Sequence, residues 1–158
     1  MKIRQPIAAL VLSAVGLIGI LSWEGYTDRP VIPVPGDVPT IGFGRTKDVK
    51  PHERTTPVRE LKLAIEHIKK DEKILKKCIK VPLHQYEYDA NISIGYNVGP
   101  TKWCKSTAVK KFNAGDYEGG CKEFDRWNKG PQGKPLKGLI NRRAWERDLC
   151  LGKLEEDK

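Results

Sequence analysis

Three residues near the start of the chain have side chains that could together cleave a glycosidic bond. Glu24 is followed by Asp37, in a Pro-Gly-Asp turn, and by Thr40. Many glycosidases place a protonated carboxyl group on one side of the scissile bond and an ionised one on the other, where it positions water or acts as nucleophile. Glu24 adjoins Trp23 and an apolar stretch, and such surroundings favour a protonated carboxyl group. We therefore expect Glu24 as the general acid, Asp37 as the second carboxylate and Thr40 as a hydroxyl that holds water.

Taken alone, Asp37 is more typical of a turn and Thr40 of a β-strand, so the order of further motifs matters. Glu24-Gly25, then an acid, then Thr40-Ile-Gly-Phe-Gly resembles the start of the phage-type lysozymes of glycoside hydrolase family 24. Later segments resemble that family's central helix, its next two helices and its closing helix: His84–Ala90 with Tyr96–Gly99, Ser106–Tyr117 with Arg126-Trp127, and Gly138–Glu146. The resemblance covers about residues 24–151.

This resemblance implies hydrolysis of the β-1,4 bond between N-acetylmuramic acid and N-acetylglucosamine in bacterial peptidoglycan. It also implies that Asn97 lines the saccharide cleft and that Arg142 reaches back to Glu24. A polar residue at a helix end and a surface arginine are the simpler interpretations of these two positions.

The spacing of the acids departs from the family pattern. Pro33 and Val34 stand at the two positions where that pattern places the second acid, and neither can act as a carboxylate. Asp37 is the nearest acid within the predicted hairpin, whereas Asp28 lies too close to Glu24 to sit easily across a sugar. The departure leaves open a single-acid mechanism, as in lytic transglycosylases, which cleave the same bond and leave anhydro-muramic ends. A non-enzymatic, membrane-anchored basic protein that binds the wall or disrupts the membrane is a further alternative.

An uncharged stretch of nineteen residues, 5–23, precedes these motifs. It is long enough to cross a bilayer core, which takes about 20 residues. Lys2 and Arg4 come before it, so the rest of the chain is expected to face outward. A cleaved signal peptide is the alternative, but no well-formed small-x-small cleavage site lies around Ser22. Three small residues, Ala9, Ser13 and Gly16, would lie on one face of a helix in this stretch. Such a face suits close helix packing in the membrane and also lowers the cost of leaving it.

With this stretch included, the chain resembles the signal-anchor-release endolysins. In that group an uncleaved, weakly apolar helix tethers the inactive enzyme to the outer face of the host inner membrane. Loss of the membrane potential frees the helix, which joins the fold and completes the active site. The resemblance implies an anchor helix at residues 1–23, a lysozyme-like domain at residues 24–158, and release into the periplasm during host lysis.

The rest of the chain predicts a mainly helical α+β domain with one small sheet. Val, Ile and turn residues between Pro30 and Gly44 favour a β-hairpin. Apolar residues at helical spacing, together with caps and breakers, predict five helices. They run from Thr56 to Cys78, Gln85 to Val98, Ser106 to Asn113, Asp116 to about Trp127, and Leu139 to Leu151. Residues 128–138 predict a loop.

Charge and composition restrict the partners. The net charge is +9, from 29 basic and 20 acidic residues, which favours an anionic partner such as a cell-wall polymer. A generally solvated basic surface explains the charge equally well. We expect peptidoglycan and the host inner membrane as partners, no nucleic acid, and a monomer. The histidines are scattered and no Cys/His cluster has zinc-site spacing, so we expect no metal and no cofactor.

Four cysteines in an exported chain predict two disulfides, with three possible connectivities. We expect Cys78–Cys104, which would join the end of the long helix to the turn after the central helix. We also expect Cys121–Cys150, which would join the penultimate helix to the last one. Four free thiols in a cytosolic protein are the alternative.

Overall fold

The structure is a computed structural model and describes residues 3–155. Met1 and Lys2, at the start of the predicted anchor, and residues 156–158, at the end of the predicted domain, lie outside the described residues. The elements are α1 Ala14–Glu24, β1 Thr27–Val31, β2 Thr40–Gly42, α2 Pro57–Cys78, α3 Gln85–Val98, α4 Pro100–Cys104, α5 Thr107–Asn113, α6 Tyr117–Lys122 and α7 Lys137–Cys150. Short 3-10 helices lie at Ile7–Ala9, Glu123–Arg126 and Lys153–Glu155. The described residues form the predicted mainly helical domain with a two-stranded sheet.

The two long helices begin where the sequence predicts. Thr56 caps α2 by accepting a hydrogen bond from the Arg59 N–H, and Pro57 occupies the first helical position, where its missing N–H costs nothing. α2 buries one apolar stripe, which includes Ile68 and Leu75, and turns its lysines to solvent. At the start of α3, the Glu87 carboxylate accepts a hydrogen bond from the His84 N–H.

α3 is the centre of the domain. Its residues from Glu87 to Gly95 are all buried, and the helix contacts α1, α2, α4 and α7. Trp103 of α4 and Phe124 pack edge to face beside it, with ring centroids 4.9 Å apart. A helix buried on every side can hold side chains at fixed positions, because close packing leaves them few alternative rotamers.

The small sheet stands apart from this core and is tied to α2 by polar contacts. β1 and β2 are antiparallel, with Thr27 opposite Gly42 and Val31 opposite Thr40. Arg45, just after β2, donates to the buried carboxylate of Glu60 on α2 at 3.0 and 3.1 Å. The guanidinium also donates to Glu53 at 2.6 Å. The hairpin therefore has a fixed position relative to the helical body.

Within the anchor helix predicted for residues 1–23, the uncharged stretch 5–23 does not form a single helix in this conformation. The stretch instead has a 3-10 turn at Ile7–Ala9, an extended bend, and the helix α1, which Ser13 caps by accepting from the Gly16 N–H. Leu10 and Ile20 are buried in the domain core. Within residues 3–155, every helix is too short or too polar to cross a membrane.

Other boundaries also differ from prediction. The helix predicted from Asp116 to Trp127 is α6 followed by a 3-10 turn, and α7 begins at Lys137, before Leu139. The short helix α4 was not predicted. Pro100 opens α4, because proline is favoured at the first position of a helix.

The disulfides have the predicted connectivity. Cys78 bonds Cys104, which joins the end of α2 to α4, and Cys121 bonds Cys150, which joins α6 to α7. The second bond holds the C-terminal end of α7 against the helical body. This helix carries the arginines described below.

Candidate active site

Glu24 is the last residue of α1, and the local sequence fixes where that helix stops. Gly25 has a φ of +66°, a conformation that glycine adopts without strain, and its N–H bonds the Leu21 carbonyl. The indole of Trp23 packs against Trp145 of α7, with ring centroids 6.1 Å apart. Gly19 leaves room for Trp145, whose ring occupies the space where a side chain at that position would lie. These contacts hold the end of α1 against α7.

Arg142 of α7 binds Glu24 directly. Its Nη1 lies 2.7 Å from Glu24 Oε1, and both side chains are largely buried. The Nε of Arg142 donates to Glu146 Oε1 at 3.0 Å. Burial by itself would lower the pKa of Arg142, but the two carboxylates outweigh it, and the pKa lies above its ordinary value. Arg142 is therefore a fixed cation beside Glu24, in the place the sequence led us to expect.

A cleft of about 530 Å³ opens in front of Glu24, between the hairpin and the helical body. It brings together all five predicted site residues: Glu24, Asp37, Thr40, Asn97 and Arg142. Its other walls come from α1, the hairpin, α2, α3 and the start of α7: Trp23, Pro33, Gly44, Thr46, His67, Tyr96, Leu136, Gly138 and Leu139. A cleft of this size with several polar groups on apolar walls is typical of a small-molecule or oligosaccharide site.

Asp37 and Thr40 face this cleft from the hairpin. One Asp37 carboxylate oxygen accepts the Val38 N–H at 2.8 Å, and the Thr40 hydroxyl donates to the Val38 carbonyl at 3.2 Å. Asp28 does not line the cleft; it forms an exposed ion pair with Arg54 at 2.9 Å. The geometry thus agrees with the preference for Asp37 over Asp28.

The two positions where the family pattern places its second acid, Pro33 and Val34, also lie at or beside this cleft. Pro33 lines the cleft, and Val34 lines the adjoining cavity, so neither brings a carboxylate to the place where the pattern has one. Any second acid supplied by the hairpin has to come from Asp37, further along the turn.

Asn97, at the end of α3, lies exposed on the opposite wall. Its side-chain oxygen accepts a hydrogen bond of 2.6 Å from Arg143 Nη2. Because this oxygen is occupied, the amide N–H groups are the donors that Asn97 can offer to a sugar hydroxyl.

Several residues of the site were not predicted. Gly44 has a φ of +81°, and a Cβ built on it would lie 2.5 Å from Glu24 Oε2. Tyr96 fixes the same turn by donating to the Phe43 carbonyl at 2.9 Å. His67 forms a wall of the cleft and pairs with Asp71 one helical turn away. The Gly-Phe-Gly turn was a sign that the backbone approaches another group closely, but nothing in it names Glu24 as that group.

Among residues 3–155, no three His, Cys, Asp or Glu side chains come together in a way that could hold a metal ion.

An acid paired with a buried arginine, at a cleft between a β-hairpin and a helical body, fits the class of glycosidases. Residues 21–146 match the family model for phage lysozyme, and the chain belongs to this family. It is therefore a peptidoglycan-cleaving glycosidase, and the non-enzymatic alternative is wrong.

Known relatives agree with this assignment. The chain is 36% identical over 151 residues to the SAR-endolysin of Pseudomonas phage phiKMV, which covers 94% of this chain and 92% of the relative. Among solved structures, the endolysin from Escherichia coli O157:H7 phage FAHEc1 superposes with a TM-score of 0.81 at 34% identity, covering 92% of this chain and 96% of the other.

Two solved forms of the P1 phage endolysin Lyz also superpose on this chain. The active form superposes with a TM-score of 0.79 over 96% of this chain and 90% of the other, at 24% identity. The secreted inactive form superposes with a TM-score of 0.59 over 94% of this chain and 100% of the other, at 19% identity.

Proposed function

We propose that this protein is an endolysin that hydrolyses the β-1,4 bond between N-acetylmuramic acid and N-acetylglucosamine in peptidoglycan and thereby lyses the host cell. The observation that carries this proposal is the buried Glu24–Arg142 pair facing the cleft that Asp37, Thr40 and Asn97 also line.

Glu24 is the proton donor in this mechanism. Its Oε1 accepts from Arg142, so the proton to be transferred resides on Oε2, beside Gly44. Transfer to the glycosidic oxygen removes the penalty of expelling an alkoxide. Arg142 holds the carboxyl group in one orientation and stabilises the carboxylate that remains after transfer.

Asp37 and Thr40 act from the hairpin side of the cleft. In this proposal they hold the water that attacks the anomeric carbon, the Asp37 carboxylate accepting its proton and the Thr40 hydroxyl fixing its position. Asn97 binds the sugar through its amide N–H groups. The departure at Pro33 favours one second candidate, a lytic transglycosylase, because that reaction needs only the acid and no activated water.

The deciding experiment compares the wild type with Glu24→Gln and Asp37→Asn on purified peptidoglycan, with Asp28→Asn as the matched control. Glu24→Gln should keep the circular dichroism spectrum and lose activity by about 10²–10⁴-fold. Asp37→Asn should impair hydrolysis far more than Asp28→Asn. Mass spectrometry of the products separates reducing muramic ends from anhydro-muramic ends, which would establish the transglycosylase instead.

We propose further that residues 5–23 are a releasable membrane anchor that tethers the enzyme to the host inner membrane until it is freed into the periplasm. The contacts of the bend between the 3-10 turn and α1 support this proposal. The Leu12 N–H donates to Glu72 at 2.7 Å and the Ser13 N–H to Asp89 at 3.0 Å. The carbonyls of Leu10 and Val11 accept from Lys76 and Gln85.

These four backbone groups would bond within the segment if it were one continuous helix. α2 and α3 instead supply side chains that bond each of them, and Arg4 adds a pair of 2.7 Å with Glu87. The domain therefore stabilises the broken form of the segment, and that form places Glu24 in the cleft. A membrane-spanning form would hold Glu24 at the bilayer surface, away from Asp37.

Fractionation of expressing cells before and after an uncoupler tests the anchor. We expect the protein in the membrane fraction before treatment and in the soluble periplasmic fraction afterwards, with residue 1 intact on N-terminal sequencing. A new terminus near Ser22 would mean ordinary signal cleavage and would end the anchor model.

A further inference from the structure

A second buried carboxylate lies beneath the proposed proton donor. Glu146 of α7 has no exposed surface. Its Oε1 accepts from the Ser93 hydroxyl of α3 at 2.6 Å and from Arg142 Nε at 3.0 Å. Its Oε2 lies 3.1 Å from Arg143 Nη1. One carboxylate thus faces two arginines that follow each other on the same helix.

The two arginines lead to different groups of the cleft. Arg142 extends from Glu146 to Glu24, and Arg143 extends from Glu146 to Asn97. Glu146 itself does not line the cleft.

We propose that Glu146 is a positioning residue that orients the proton donor Glu24 through Arg142 and the sugar-binding amide of Asn97 through Arg143. This inference rests on the proposed function of the same cleft. Glu146 touches no substrate and acts only through the two guanidinium groups.

Stability alone is a poor explanation for this arrangement. Buried ion pairs are often no more stable than apolar side chains of similar volume, because desolvation offsets the attraction. Here Arg143 Nη1 and Glu146 Oε2 lie 3.1 Å apart but do not meet in hydrogen-bond geometry, and Arg143 Nε has no hydrogen-bond partner among the described residues. Burial also lowers the pKa of Arg143 to about 10. An incompletely paired ion pair under the cleft adds little stability, so its use to the protein is to hold the groups above it in position.

The charge of Glu146 should also reach the proton donor. Arg142 divides its positive charge between two carboxylates, so loss of one leaves more of that charge to act on Glu24. The other charged or titratable groups around Glu24 are Arg143 from α7, His67 from α2, Tyr96 from α3 and Asp37 from the hairpin. Arg143 also contacts Glu146, so loss of that carboxylate frees its positive charge in the same direction as that of Arg142.

The sign of the effect follows from the role of Glu24. A general acid must be protonated, so activity falls as pH rises through its ionisation, which gives the alkaline limb of the rate profile. Without the negative charge of Glu146, the positive charge of Arg142 acts on Glu24 alone. The alkaline limb of the rate profile should therefore move to lower pH.

Glu146→Gln tests the proposal, with kcat and KM measured against pH on soluble peptidoglycan fragments. We expect kcat to fall on the order of 10²-fold, as for a displaced catalytic group, KM to rise, and the alkaline limb to shift downward. Glu60→Gln is the matched control, because it also removes a buried carboxylate from an arginine, Arg45, that does not line the cleft. It should leave the limb in place even if it lowers stability.

The outcomes are separable. A wild type that releases no product from peptidoglycan would refute the proposed function itself. An active wild type with an unshifted limb in Glu146→Gln would overturn the inference, because a structural role lowers the amount of folded enzyme without moving the limb.

If Glu146→Gln does not fold, two milder variants test whether Glu146 positions Glu24 and Asn97. Ser93→Ala removes one hydrogen bond to Glu146 and should lower kcat, whereas Arg143→Lys should raise KM with kcat nearly kept. Wild-type values in either variant would overturn the corresponding half of the proposal.

Discussion

At the scale of single residues, Gly44 controls how closely the hairpin approaches Glu24, the proposed proton donor. We predict that Gly44→Ala lowers activity by about 10²-fold, because its Cβ would lie 2.5 Å from Glu24 Oε2 and displace that oxygen. Gly115→Ala is the control: its φ is also +81°, but nothing lies within 4 Å of its Cβ. Because the two glycines have the same φ, both variants carry a backbone penalty, and equal activity in wall-turnover assays would contradict the contact as the cause.

His67 provides a test of the electrostatics on the cleft wall. Its Nε2 lies 3.3 Å from the buried carboxylate of Asp71. That pairing raises the pKa of His67; burial and Lys70 oppose the change, and Glu24 adds to it. A histidine with a raised pKa contributes stability below its unfolded value, about 6.5, and loses it as pH rises through the folded value.

We therefore predict that His67→Gln is less stable than the wild type at pH 5 and equally stable at pH 9. Urea unfolding at both values measures this difference, and His52→Gln in the exposed loop before α2 is the control. A deficit of the same size at both pH values would show that His67 acts through packing against Tyr96 rather than through its charge.

A cleft residue could be predicted from the sequence when the residues next to it in the chain indicated its role. Glu24, Asp37 and Thr40 stand in one short segment, and the structure brings all three to one cleft. The sequence around Glu146 gave no such indication, because its proposed role depends on its ion pairs with Arg142 and Arg143. In the sequence these arginines resemble the charges of a solvated helix, and only the packing of α3 buries them. The catalytic roles themselves remain predictions.

At the scale of elements, periodicity fixed the long helices well and the short ones poorly. α2 and α3 have several turns of apolar spacing and clear end signals, so their bounds agree with prediction within a residue. α4 has a single turn, and its burial depends on Trp103 reaching Asn91 of α3, to which it donates at 2.8 Å. Contacts of that kind come from the tertiary fold and leave no period in the sequence.

The two disulfides differ in the helices that they connect: one joins α2 to α4, and the other joins α6 to α7, which carries Arg142. They close loops of 26 and 29 residues, so removing either should cost a similar roughly 2–4 kcal/mol of stability. Only Cys121–Cys150 holds α7, the helix of Arg142. We therefore expect Cys121→Ser with Cys150→Ser to lower kcat as well, and Cys78→Ser with Cys104→Ser to leave it nearly unchanged.

Denaturant unfolding and turnover on the same samples measure both effects. If both double variants lose kcat equally while folded, the bond to α7 has no special part in the site.

At the scale of the whole molecule, the N-terminal segment keeps an apolar face that the fold does not use. Val15 and Ile18 on α1, and Val11 in the bend before it, stay about two-thirds exposed, at 65%, 65% and 64%. α1 itself is apolar on all sides, whereas a helix on the surface of a soluble protein usually has a polar outer face. This composition fits the proposed anchor, which would have to suit a bilayer before it packs on α3.

Two substitutions in α1 can separate the effect of the bilayer on this segment from the effect of its packing against the domain. Ala14 is exposed on α1, so Ala14→Leu adds apolar surface without a clash in the docked form. Gly19 faces Trp145, so Gly19→Leu adds the same kind of surface but cannot dock without moving that ring. Each added Leu favours the bilayer by a few tenths of a kcal/mol, about −0.3 to −0.6 for a central Leu.

We predict that both variants are retained in the membrane fraction more strongly than the wild type before an uncoupler is added. After release, or when purified without detergent, Ala14→Leu should cleave peptidoglycan at nearly the wild-type rate. Gly19→Leu should be impaired by tenfold or more, since a displacement of about 1 Å at a catalytic group can cost 10²-fold and Glu24 lies at the end of the same helix. Equal activity in the two purified variants would mean that packing of α1 on α7 does not place Glu24. Equal retention of both variants and the wild type would mean that the segment is not the anchor.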